Sequence, residues 1–69
     1  MRAVVRSQRR WRVVTRTQGD GTLLVTVGRP GTAERVVREL PPTLGGYELA
    51  AELELAKEEA ESTAEQLNR

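Results

Sequence analysis

Apolar and polar positions alternate loosely from Arg10 to Thr17. That segment is rich in Trp, Val and Thr, which suit a pleated, half-buried surface. Trp11, Val13, Thr15 and Thr17 fall on one side of such a strand, and Arg10, Arg12, Val14 and Arg16 on the other. QGDG at 18–21 reads as a hairpin turn, because Gly and Asp tolerate positive φ. TLLVTV at 22–27 follows as a second strand, with Leu23, Val25 and Val27 sharing a face. GRPGT at 28–32 is a second turn, and residues 33–40, containing AERVVREL, form a third strand. The Pro41–Pro42 pair ends it, since proline cannot donate to a ladder.

The period then changes. YELAAELELAKEEAESTAEQL, residues 47–67, is dense in good helix formers. Leu49, Leu53, Ala56, Ala60, Thr63 and Leu67 recur in steps of four and three, a heptad-like seam. Its first half suits packing on a sheet. Its second half, Ala60, Thr63 or Ala64, and Leu67, is thin and built of small residues, which favours close approach by a second helix. Gly45 and Gly46 read as the turn into this helix, with Thr43 as a candidate cap for an earlier start. The expected fold is therefore α+β: a three-stranded antiparallel meander with one long C-terminal helix on one face. Residues 1–9 read as a basic arm, 10–40 as the meander, 41–46 as a loop and 47–67 as the helix, all within one small domain.

Size sharpens this picture. A chain of 69 residues buries a small fraction of its surface, and such domains commonly need a staple. With no Cys a disulfide is excluded, and with neither Cys nor His a structural zinc site is excluded as well. Self-association is the remaining staple. The expectation is a homodimer joined through Leu53, Ala56, Ala60, Thr63 and Leu67.

Charge adds an asymmetry that the formal net charge of +1 hides. Residues 1–16 hold six Arg and no acid. Residues 47–69 hold seven Glu against Lys57 and Arg69. RSQRRWRVVTR, residues 6–16, offers Arg6, Arg9, Arg10, Arg12 and Arg16 as contacts for nucleic-acid phosphates or for an acidic partner. Trp11 on its own strand reads first as a core residue, in a chain with one Trp, one Tyr and no Phe. Glutamates four apart, such as Glu48 and Glu52, repel within a helix, so arginines from a neighbouring strand or a second subunit are expected to relieve them.

Candidate chemistry is sparse. Without His or Cys the usual general base and thiol nucleophile are missing, so no catalytic residue is assigned and the chain reads as a non-enzyme. The helix glutamates read as a solvated face. No metal, cofactor or small-molecule substrate is expected. Gly28–Arg29–Pro30–Gly31 matches the bare GxxG string of KH domains, but it lies between strands and Pro30 lacks the N–H that a phosphate cradle uses, so a plain turn is read. Arg38 to Leu44 resembles proline-rich SH3 ligands, yet reads more simply as a strand end and loop. The element order, with its Arg/Trp first strand, resembles the arm-type domains at the start of phage integrases and the AP2 plant domains. That resemblance implies an open sheet face laid in a DNA groove, although the usual helix signature is not matched: AKEEAE, residues 56–61, sits deep in the helix.

No signal peptide or transmembrane segment is readable, so a cytoplasmic protein is expected. The arginine-rich style of the sequence suggests a phage or mobile-element accessory protein. The leading functional expectation is a small binding protein acting through protein–protein contacts. The alternative is a nucleic-acid-binding module that uses the arginine-rich first strand.

Overall fold

The computed structural model describes residues 10–69. Arg6, Arg9 and the expected basic arm lie outside the described residues. Three strands, β1 (Arg12–Thr17), β2 (Leu23–Arg29) and β3 (Thr32–Leu40), precede one helix, α1 (Gly46–Leu67). The strands form an open antiparallel sheet in the order β1-β2-β3. The expected meander-plus-helix architecture is what the chain adopts, with element ends shifted by two residues at most.

The turns follow from local chemistry. Between β1 and β2, Gln18 and Thr22 close the loop backbone to backbone at 2.8 Å. Asp20 Oδ1 accepts the Thr22 N–H at 2.9 Å, and Gly21 takes φ +93°. Any Cβ at Gly21 would also lie 3.0 Å from the Pro42 ring, so glycine is required there twice over. Between β2 and β3, Arg29 pairs with Thr32 across Pro30–Gly31. Proline at the first central position and glycine at φ +79° in the second are the residues a type II turn demands.

β1 and β2 pair without interruption, from Arg12 opposite Gly28 to Thr17 opposite Leu23. β3 carries two irregularities. Val25 faces Arg38 while Thr26 faces Val36, so Val37 is an extra residue; a second shift falls between Val27 and Arg29. Bulges bend a strand and re-aim its side chains. Here the first one turns both Val37 and Arg38 toward the helix: Val37 packs on the core and Arg38 pairs with helix glutamates.

α1 lies across the face that carries Trp11, Val25 and Val27. Its buried residues are Ala56, Ala60 and Ala64, flanked by partly buried Leu53 and Leu67. The stripe thus runs through Ala64, not through Thr63, whose hydroxyl instead donates back to the Glu59 carbonyl at 2.9 Å. Alanine has no side chain beyond Cβ, so the helix comes close enough for Trp11, 7% exposed, to fill the space between helix and sheet. The helix starts at Gly46 (φ +54°) from an extended Gly45, with no side-chain cap; Thr43 does not serve as one. It ends at Asn68, which closes a reciprocal clasp. The Trp11 N–H donates to Asn68 Oδ1 at 2.7 Å, and Asn68 Nδ2 donates to the Trp11 carbonyl at 3.2 Å. The last turn is therefore tied to the start of β1. Among the described residues, no helix is long and apolar enough to cross a membrane.

Candidate nucleic-acid interface

Strand alternation decides which side chains meet solvent on the uncovered side of the sheet. Val13, Val25 and Val27 face the helix, so Arg12, Val14 and Arg16 of β1 and Thr26 of β2 face away. Trp11, although it belongs to the basic segment, is in the core and offers no face for stacking on a base.

The arginines are not equivalent. Arg16 makes a two-pronged pair with Glu34, Nε to Oε1 and Nη2 to Oε2, both at 2.8 Å. The Thr26 hydroxyl, buried on this side, is shared between the Val14 carbonyl at 3.1 Å and Glu34 Oε1 at 3.3 Å. The hydrogen bond from Arg16 holds the Glu34 carboxyl below its ordinary range, partly opposed by desolvation and reinforced by the guanidinium charge and by Thr26. Glu34 in turn raises the pKa of Arg16. Glu34 can lie flat because Gly28 is beneath it: a Cβ on Gly28 would come within 2.9 Å of Glu34 Cγ.

Beyond this pair, at the end of the sheet where β1 begins and β2 turns into β3, lies a cleft of about 380 Å³. It is lined by Arg10, Arg12 and Val14 from the β1 side of the chain, by Gly28, Arg29 and Pro30 at the end of β2 and the turn, and by Thr32 and Glu34, its one carboxylate, from β3. Arg29 has a second role. Its guanidinium carbon stands 5.0 Å from the Trp11 ring centroid, while its Nε donates to the Thr32 hydroxyl at 3.1 Å. Arg35 stands over the same ring at 5.5 Å. Both distances are within cation–π range.

Glu39, opposite Leu24, which also pairs with Arg16, is a further exposed acid on the uncovered face, but the acidic charge of the helix is on the other side. Ala56, Ala60 and Ala64 point to the sheet, so Glu54, Glu58, Glu61 and Glu65 lie on the far, exposed side of the helix. Arg38 draws in two more glutamates, Glu52 at 3.2 Å and Glu59 at 2.9 Å, and Arg69 pairs with Glu65 at 3.0 Å. A strand arginine does relieve the helix, and it comes from β3.

Of the residues expected on sequence grounds, Arg12 and Arg16 lie along β1 and Arg10 just ahead of it; Arg10 and Arg12 line the cleft, and Arg16 is engaged by Glu34. Of the residues expected in self-association, Ala56 and Ala60 have no exposed surface; they are covered by the chain's own sheet. Leu53 and Leu67 flank that core, and Thr63 is half-buried. Arg29 and Arg35 were not singled out from sequence. The signal available was weak: each is a lone basic residue beside a turn, and only strand register brings it over Trp11. Among the described residues there is no cluster of acidic side chains arranged to hold a metal ion. No protein family, curated protein or solved structure matches this chain.

Proposed function

We propose that this chain is a non-enzymatic binding module that contacts nucleic acid through the uncovered face and basic end of its sheet. What carries the reading is the separation of charge across the sheet. Seven helix glutamates would repel a phosphate backbone if they shared a surface with the arginines. The helix packs on the opposite side, and Glu52 and Glu59 are already paired with Arg38. Arg10, Arg12 and Arg29 are thereby grouped at one cleft, away from the exposed helix acids. Ala56 and Ala60 are covered by the chain's own sheet, which supports a reading that does not rely on those residues meeting a second helix.

Affinity of this kind comes from counterion release, so it is salt-dependent. Three arginine–phosphate contacts correspond to a slope of about −2.7 in log K against log salt, or roughly a 40-fold loss between ~50 and ~200 mM. The test is fluorescence anisotropy of a labelled random duplex at those two salt concentrations. The expected result is measurable binding with at least that slope, abolished in an Arg10→Ala/Arg12→Ala double variant whose far-UV circular dichroism is unchanged. Absence of binding at ~50 mM overturns the reading and assigns the basic end to an acidic protein partner.

A further inference from the structure

Resting on that reading, we propose that the cleft at the β2–β3 turn is a subsite for a single backbone phosphate, and that its occupation draws Arg29 off the Trp11 ring. Arg29 is poised between two partners of different kind. One is the π face of Trp11 at 5.0 Å; the other is the cleft that Arg29 and its hydrogen-bond partner Thr32 both line. A guanidinium presents five N–H donors in a planar fork, of which the Thr32 hydroxyl takes one. A phosphate in the cleft would offer that fork two charge-assisted hydrogen bonds, which are stronger than a partly exposed cation–π contact. Arg10 and Arg12 line the same space, and the Thr32 hydroxyl adds a neutral donor.

The one carboxylate lining the cleft does not close the site to an anion. Glu34 is held by both prongs of Arg16, so its charge is offset before any ligand arrives. When Arg29 swings out, Arg35 remains over the indole at 5.5 Å, so the core stays covered. Trp11 is thus left in place but loses the Arg29 guanidinium from its ring. As the only tryptophan in the chain, it reports cleft occupancy directly.

The experiment titrates the protein with inorganic pyrophosphate at constant ionic strength while following Trp11 emission, alongside duplex anisotropy, for the wild type, Arg29→Lys and Arg10→Ala. Lysine keeps the charge but lacks the planar fork. Arg10 lies outside the strands, so its loss leaves the sheet intact. The expected result is a saturable emission change in the wild type that Arg29→Lys abolishes, with duplex affinity about tenfold weaker in Arg29→Lys. Arg10→Ala should keep the emission change but require more pyrophosphate to reach it. If the duplex binds while pyrophosphate leaves Trp11 unmoved and Arg29→Lys binds normally, the subsite is overturned and the interface reading stands. If pyrophosphate moves Trp11 but no duplex binds, the anion site survives and the nucleic-acid reading falls. If neither ligand binds, both fall.

Discussion

The two faces of the sheet are made by alternate residues of the same three strands, yet different forces organise them. The covered face is dry and close-packed: Trp11, Val25 and Val27 against a stripe of alanines, all 7% exposed or less. The uncovered face is held by ions and hydroxyls, with Arg16, Glu34 and Thr26 locked to one another and a basic cleft beside them. Odd positions of β1 and β2 from Val13 to Val27 build the fold, while even positions, joined by Arg29 where β2 ends, build the candidate interface. Changes on one face should therefore read out in stability and changes on the other in binding.

The strongest test of that division is Trp11→Ala. It removes the largest core side chain and should cost about 3–5 kcal/mol, a large share of what holds a small domain together. A urea midpoint close to the wild type would mean that the covered face is not where stability resides. Next in size is Ala60→Leu. Ala60 has no exposed surface, so the added atoms must push helix and sheet apart, at about 1–3 kcal/mol. A stabilised variant would instead reveal unfilled space beneath the helix.

The smallest effect on stability, and the most telling for the comparison, is expected at Glu34. Its folded-state pKa is depressed, so its contribution is fully present above the unfolded value and is lost as pH falls through the folded one. Stability should decline on acidification below about pH 4.5, the ordinary glutamate value, and Glu34→Gln should flatten that limb. The same variant removes the cleft's carboxylate and releases Arg16. Duplex binding should tighten and its salt slope should steepen. Weaker binding would show that Glu34 positions the interface and does not merely restrain it.

The architecture was legible in the sequence because it rests on local signals. Alternation marks the strands, Gly21, Gly31 and Pro30 mark the turns, and a run of Ala, Leu and Glu marks the helix. Which side of β1 faces the helix was legible as well, since only one side carries Trp11. The bulges on β3 were not legible. ERVVREL reads as simple alternation, and only pairing with β2 shows that Val37 is an additional residue and that Arg38 turns toward Glu52 and Glu59. The same limit hid the Arg16–Glu34 pair, eighteen residues apart, and the placement of Arg29 and Arg35 over Trp11. The basic stretch marked Arg10 and Arg12, but the cleft they line takes residues from three strands.

The clasp between Trp11 and Asn68 closes a loop of 57 residues. Closing a flexible loop of that length costs about 3.6 kcal/mol in the logarithmic term alone. Two hydrogen bonds return a net of about 1–3 kcal/mol together, so burial of Trp11 and the alanines has to bring the ends together. The amide of Asn68 answers a different need. Ala56, Ala60 and Ala64 repeat every four residues, so a helix slid by one turn would set the same methyl groups against the same strand face. Apolar contact cannot tell those alignments apart. The clasp can, because a slid helix would carry the Asn68 amide away from the Trp11 peptide. One asparagine thus gives a repetitive surface a single address.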